Sequence, residues 1–276
     1  MNDLKIDKKK ILDIEVPYYH SGNNESTAIF FIHGNRGSGL TFQSVLASRL
    51  SHKYKLIALD LPGFGDNKVQ EDLHEQITWN FLKRLIIDFT NSFSYSNTIL
   101  CGHSMGGHLA IECIPQIKDA KGLVFFGAPP VSGIQDMPNA FLPNPKMEFL
   151  LKADLSESEI ELLIADSSKN KKTQDFLNTI ARKADPRVLD KVYESITYQV
   201  EDEVKLLSPI QSFPICCIHV ENDPLVNYQY IVDLKLPNLF RGEVITIKGD
   251  GHIPQIDYLN DFLKILESYV EEVISL

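Results

Sequence analysis

Along this chain, short and largely apolar runs alternate with longer stretches whose apolar residues return every three or four positions. The first unbroken run is Ala28-Ile29-Phe30-Phe31-Ile32, which ends at His33-Gly34. It is followed by Lys55-Leu56-Ile57-Ala58-Leu59-Asp60, Thr98-Ile99-Leu100-Cys101, Gly122-Leu123-Val124-Phe125-Phe126, Ile215-Cys216-Cys217-Ile218 and Glu243-Val244-Ile245-Thr246-Ile247. A strand covered on both faces is apolar throughout, and helix-length spacers between such strands are what parallel crossovers require. The pattern predicts an α/β fold: a mostly parallel central sheet of about eight strands with helices on both faces. Residues 11–19 alternate imperfectly and predict an antiparallel edge strand or hairpin.

One region breaks the alternation. Between 131 and 207 no strand pattern appears, but helix signals recur. Ser156 and Glu159 have capping-box spacing ahead of Ile160, Leu162, Leu163 and Ile164. Asp185-Pro186 pairs an N-cap residue with a proline suited to the first turn, and Val188, Leu189, Val192 and Ile196 follow. This divides the chain into a core domain, 1–130 with 208–276, and a helical cap inserted at 131–207. A side domain with no gating role would read the same way. The cap is favoured because ligands of open parallel sheets bind at the carboxyl edge of the strands.

Composition narrows the partners. The 276 residues carry a formal net charge of -10, and the compact basic run Lys169-Asn170-Lys171-Lys172 reads as a solvated loop, so no nucleic acid is expected as a partner. No apolar stretch approaches the roughly 18 residues of a membrane span, and the charged N-terminus lacks a signal-peptide core. The four cysteines, Cys101, Cys113, Cys216 and Cys217, lie in apolar segments without metal-ligand spacing. Buried reduced thiols and a cytoplasmic location are expected.

The stretch Cys101-Gly102-His103-Ser104-Met105-Gly106-Gly107 carries the chemistry. It fits G-x-S-x-G, follows an apolar strand and precedes a helical run over 105–114, the setting of a nucleophile elbow. A serine hydroxyl needs a base. Of eight histidines, His252 lies in Gly249-Asp250-Gly251-His252 on the loop after the last strand, and it comes last in the order serine, acid, histidine. His33 and His103 neighbour other motif elements, His219 lies within a strand, and His20, His52, His74 and His108 have no special setting. Asp223, in Glu221-Asn222-Asp223-Pro224, is placed to orient the imidazole, with Glu221 as a nearby competitor. The backbone N–H of Met105 and that of Asn35, in the glycine-rich loop 33–39, are expected to hold the oxyanion. That loop lacks the Gly-Lys-Ser/Thr of a phosphate cradle. With no metal-ligand cluster, hydrolysis without metal or other cofactor is expected.

Assembled, HGNRGSG, DLPGFGDN, GHSMGG, ENDPLV and GDGH occur in the order of the α/β-hydrolase fold, and the chain resembles serine hydrolases of that family over nearly its whole length. More narrowly, HGN at 33–35, GHSMGGHLAIE at 102–112, GAPPV at 127–131 and LPNLFRGEV at 236–244 resemble the metal-free acyl-homoserine lactonases and their esterase relatives. The resemblance implies a small-molecule ester or lactone as substrate, opened through Ser104, His252 and Asp223, with Asn35 also contacting it. The cap would line an acyl pocket, for which Phe141, Met147 and Phe149 are candidates beside Met137, Leu142 and Leu150, although core packing explains these equally well. Haloalkane dehalogenases and epoxide hydrolases use an aspartate where Ser104 stands, and aminopeptidase relatives usually place tryptophan at Met105. Carbon–carbon bond hydrolases and perhydrolases share the triad, and a non-enzymatic receptor is the reading of a different class. Arg36 departs from the small polar residue the resemblance leads one to expect after HGN.

Overall fold

A computed structural model describes residues 4–21 and 26–276, leaving the side chain of Met147 outside the described set. Eight strands form one sheet: β1 (Lys5–Ile11), β2 (Ile14–His20), β3 (Thr27–Ile32), β4 (Lys55–Leu59), β5 (Asn97–His103), β6 (Ala120–Phe126), β7 (Ile215–Asn222) and β8 (Ile245–Asp250). Their order is β1-β2-β4-β3-β5-β6-β7-β8. The six strands from β4 to β8 in this order pair in parallel, while β1 and β2 pair antiparallel. Every residue of β3 is buried, as expected of a strand covered on both faces.

The N-terminal hairpin refines the reading of 11–19. Residues 11–13 lead into and form the turn, Leu12 and Asp13 both have positive φ, and Ile11 pairs with Ile14, as in a two-residue type I′ connection. β1 is mostly exposed and reads Lys-Ile-Asp-Lys-Lys-Lys-Ile, so little apolar periodicity marks it. Lysines on an edge strand oppose pairing with another chain.

The helices are α1 (Gln43–Leu46), α2 (Trp79–Asn91), α3 (Met105–Cys113), α4 (Met137–Ala140), α5 (Met147–Leu150), α6 (Glu157–Ser167), α7 (Lys171–Ala181), α8 (Pro186–Gln199), α9 (Glu203–Leu207), α10 (Tyr228–Asp233), α11 (Pro254–Asp257) and α12 (Leu259–Ser275). α1 packs with α12, and α2 with α3, giving the sheet its two helical layers. α4 to α9 lie between β6 and β7. Two of them start on the signals read from sequence. Ser156 and Glu159 form a reciprocal capping box on α6, and Asp185 caps α8 ahead of Pro186. These helices do not share one core. Val188, Leu189, Val192, Tyr193 and Ile196 of α8 join the main core, whereas α6 and α7 close a smaller cluster around Leu163 and Leu177 that includes Ile253. Among the described residues, no helix is long and apolar enough to cross a membrane.

Candidate active site

The turn from β5 into α3 brings three chain segments into near contact. Ser104 sits there at φ 52 and ψ -123, a strained conformation for a residue with a side chain. A Cβ on Gly102 would lie 2.1 Å from the Gly106 carbonyl oxygen, and one on Gly106 would lie 2.3 Å from that of Ile32. Both positions therefore exclude any side chain. The Ser104 N–H donates to Phe126 O at 2.8 Å, tying the elbow to the end of β6. Ser104 lines a cavity of about 280 Å3 at the carboxyl edge of the sheet.

His252 stands on the loop after β8 and lines the same cavity. Its Nδ1 lies 2.7 Å from Asp223 Oδ2, with both side chains almost fully buried. Three segments fix this loop: Asp223 holds the ring, His103 Nε2 donates to His252 O at 2.9 Å, and the His252 N–H donates to Ser167 O at 2.8 Å. Burial alone would push the Asp223 carboxyl up. The adjacent His252, together with the Leu225 N–H, outweighs this and holds it below the usual carboxylate range. Val226 N–H also donates to Asp223 Oδ1, at 3.2 Å. The competitor Glu221 is exposed. His252 Nε2 is buried and has no hydrogen-bond partner among the described residues. A carboxylate on one side of an imidazole and an unpaired nitrogen on the other is the arrangement of a proton acceptor.

The glycine-rich loop after β3 is held from below. Asp60, fully buried at the end of β4, accepts from Ser38 Oγ and Gly39 N, both at 2.7 Å, and from Asp66 N at 2.8 Å. His33 Nδ1–H donates to Gly34 O, and its Nε2 accepts from Leu61 N. Burial pushes the ring's pKa down, so it stays neutral in this role. His103, likewise buried and beside His252, is lowered to about 3. The backbone N–H groups of Asn35 and Met105 have no backbone acceptor among the described residues. That of Met105 opens α3, where a helix leaves its first donors free.

The Asn35 side chain is engaged elsewhere: Nδ2 donates to Leu150 O at 2.8 Å, and Oδ1 accepts from Tyr193 Oη at 2.7 Å. Arg36, at φ 52, donates from Nη2 to Lys152 O at 2.8 Å and Ala153 O at 2.5 Å. The unexpected arginine thus ties the loop at 33–39 to the chain between α5 and α6. A second, smaller cavity of about 80 Å3 opens between them and shares Ser104 and His252 with the first.

Of the proposed pocket residues, Phe141 lines the large cavity, as do Met137 and Leu150. Phe149 does not; it packs against the α6–α7 cluster, because the short α5 turns its neighbours Leu150 and Leu151 toward the cavity instead. Leu142 is partly exposed and is not in the wall. The candidate side chain of Met147 lies outside the described residues. Sequence reading missed Trp79, His108, Tyr193 and Ile196 as wall residues. The apolar periodicity of α8 marks Ile196 as inward-facing, but no local signal says whether that face meets core or cavity.

A model of the alpha/beta hydrolase family matches residues 29–263. A Mycoplasma pneumoniae protein with a provisional esterase/lipase name is 24% identical over 266 residues, covering 91% of this chain and 93% of that one. Hydrolase YugF of Bacillus subtilis is 31% identical over 103 residues, 37% of each chain. Among solved structures, the N-acyl homoserine lactonase AidH with N-butanoyl homoserine superposes with a TM-score of 0.90 at 22% identity, covering 99% of this chain and 98% of that one. The esterase RhEst1 of a Rhodococcus species gives 0.78 at 17%, covering 98% and 99%. Likeness at these identities establishes the fold.

Proposed function

The chain belongs to the alpha/beta hydrolase family, and on that premise we propose that it hydrolyses an ester or lactone bond of a small molecule through an acyl-enzyme on Ser104. Ser104 Oγ attacks the carbonyl carbon while His252 Nε2 takes its proton. Asp223 holds the Nδ1–H and stabilises the imidazolium. The N–H groups of Met105 and Asn35 receive the oxyanion. As the tetrahedral intermediate collapses, His252 protonates the leaving alkoxide. Water then repeats the sequence on the acyl-enzyme and frees the acid. In a lactone the leaving alcohol remains attached to the product.

The single observation carrying this reading is the convergence on one cavity of Ser104 on a strained elbow and His252, whose buried Nε2 is unpaired while its Nδ1 lies 2.7 Å from Asp223. The apolar wall suits an acyl chain. The helices inserted between β6 and β7 would act as the cap that forms this wall. N-acyl-homoserine lactones are the candidate substrate, supported by the motif resemblance and by the fold shared with a lactonase of that class. Four buried free thiols fit a reducing, cytoplasmic setting.

A fluorophosphonate probe should label the protein at Ser104, and Ser104→Ala should abolish labelling. A panel of acyl-homoserine lactones and p-nitrophenyl esters then separates the substrates. Turnover of short esters with intact lactones would remove the lactone assignment. Absence of both labelling and ester turnover in folded protein would favour a receptor.

A further inference from the structure

His108 lies in the cavity wall and takes no part in the chemistry above. It follows Ser104 by four residues on α3, one helical turn, or about 6 Å along the axis. The residue is only 6% exposed and lines the cavity. Its Nδ1 sits 2.9 and 3.0 Å from the two oxygens of Glu203, itself fully buried. A carboxylate only accepts, so Nδ1 carries a proton. Glu203 cannot turn away: its Oε2 also accepts from Val131 N at 2.8 Å, and its own N–H donates to Val131 O at 2.9 Å.

The remaining nitrogen, Nε2, makes no hydrogen bond among the described residues. Burial would strip the ring of its charge, but Glu203 reverses this and raises its pKa, with Glu112 adding to the effect. Glu203 is wholly buried and, among the described residues, His108 is its one ionic partner. A net charge buried there is costly, so the pair is neutral overall, which leaves a proton on Nε2. The other charged groups nearby are already matched: Glu112 accepts from Trp79 Nε1 and pairs with Lys83, which also pairs with Glu201. The Phe141 ring lies 6.3 Å from that of His108, centroid to centroid, and the cavity wall they share is largely apolar, including Ile134, Met137 and Leu225. A ligand that covers this wall displaces water from Nε2–H and strands the donor unless it supplies an acceptor.

We propose that His108 Nε2–H anchors a neutral acceptor oxygen on the acyl part of the substrate, two to four bonds beyond the reacting carbonyl, so that 3-oxo or 3-hydroxy acyl groups are favoured over plain chains. The inference rests on the reading of Ser104 as nucleophile. One helical turn sets the distance. Glu203 sets the charge: the pair is neutral overall, so a carboxylate entering this apolar wall would lose its hydration without a free counter-charge.

The test compares kcat/KM for ethyl hexanoate, ethyl 3-oxohexanoate, ethyl 3-hydroxyhexanoate and monoethyl succinate in a pH-stat, each normalised to its hydroxide-catalysed rate. The ratio of oxygenated to plain ester is taken within each enzyme, which cancels general losses of activity. In the wild type this ratio should be about tenfold or more, carried mainly by KM. The double variant His108→Phe with Glu203→Gln removes donor and buried charge together and should bring the ratio to about one. His108→Gln, which returns an N–H donor, should restore part of it. If the pair only clamps α3 to α9, the variants would lose stability with no change in ratio. A wild-type ratio near one, an unchanged ratio in the double variant, or preference for the succinate would overturn the anchor. Labelling at Ser104 with a ratio near one overturns the anchor alone, whereas no labelling and no turnover overturn the nucleophile and the anchor with it.

Discussion

Asp60→Asn tests how the fold holds the loop that carries Asn35. Asp60 Oδ1 accepts from Ser38 Oγ and Gly39 N, and Oδ2 accepts from Asp66 N and, at 3.3 Å, from Tyr19 Oη. All four partners donate. Whichever way the asparagine amide turns, its NH2 group faces two donors, so one backbone N–H loses its acceptor at a site with no exposure to water. Losing one charge-assisted bond costs roughly 1.5–3 kcal/mol, and the stranded donor adds to that, giving a loss of about 3 kcal/mol. For a chain of this size the melting temperature should fall by about 6–12 °C. Urea unfolding followed by circular dichroism gives the free energy, and Asp66→Asn is the control. The Asp66 side chain is 57% exposed in its pair with Lys183, so that substitution should cost less than about 1 kcal/mol. Because Ser38 lies three residues after Asn35, ester turnover should fall as well. A loss below about 1 kcal/mol for Asp60→Asn, at unchanged denaturant slope, would refute the claim that this carboxylate organises the loop.

Asp223→Asn should lower kcat by roughly 10^3 to 10^4-fold with little change in KM, because the amide cannot hold the imidazole proton in the same way; steady-state kinetics on a p-nitrophenyl ester would show it. The same variant bears on acid stability. The folded carboxyl titrates below its ordinary value, so its contribution is complete above about pH 4 and is lost as the pH falls through the lowered value. Urea midpoints between pH 2 and 6 should therefore vary less in Asp223→Asn than in the wild type. Tyr193→Phe deletes the 2.7 Å bond to Asn35 Oδ1 and leaves a part-buried acceptor unpaired. It should cost about 1–2 kcal/mol in thermal unfolding and lower kcat/KM, and unchanged values for both would mean the bond is dispensable.

The parallel strands β3 to β7 were legible because they are largely buried on both faces, and continuous apolarity is a local signal; β8, at the sheet edge, is exposed at alternate positions. The elbow was legible for a related reason: Gly102 and Gly106 stand where two backbones nearly touch, so their identity records a contact that the sequence does not otherwise display. Caps such as Ser156–Glu159 and Asp185–Pro186 act within four residues and can be read directly. β1 was less legible because an exposed edge strand needs no apolar alternation.

The sequence by itself determined the strand order along the chain, the elbow around Ser104, and the nomination of Asp223 and His252 as its partners. Only the tertiary structure decided that Glu203, 95 residues away, meets His108, which the sequence left without a role. It also decided that Tyr193 and Leu150 hold the Asn35 side chain, that Arg36 is tied to the carbonyls of Lys152 and Ala153, and that Leu151 rather than Phe149 reaches the cavity. The physical reason is one of range. Helix caps, strand patterns and tight turns are settled by neighbours a few residues apart, and their requirements are written locally. A buried charge pair or a cavity wall depends on which distant surfaces pack together, and a histidine carries the same letter whether it faces water, core or substrate.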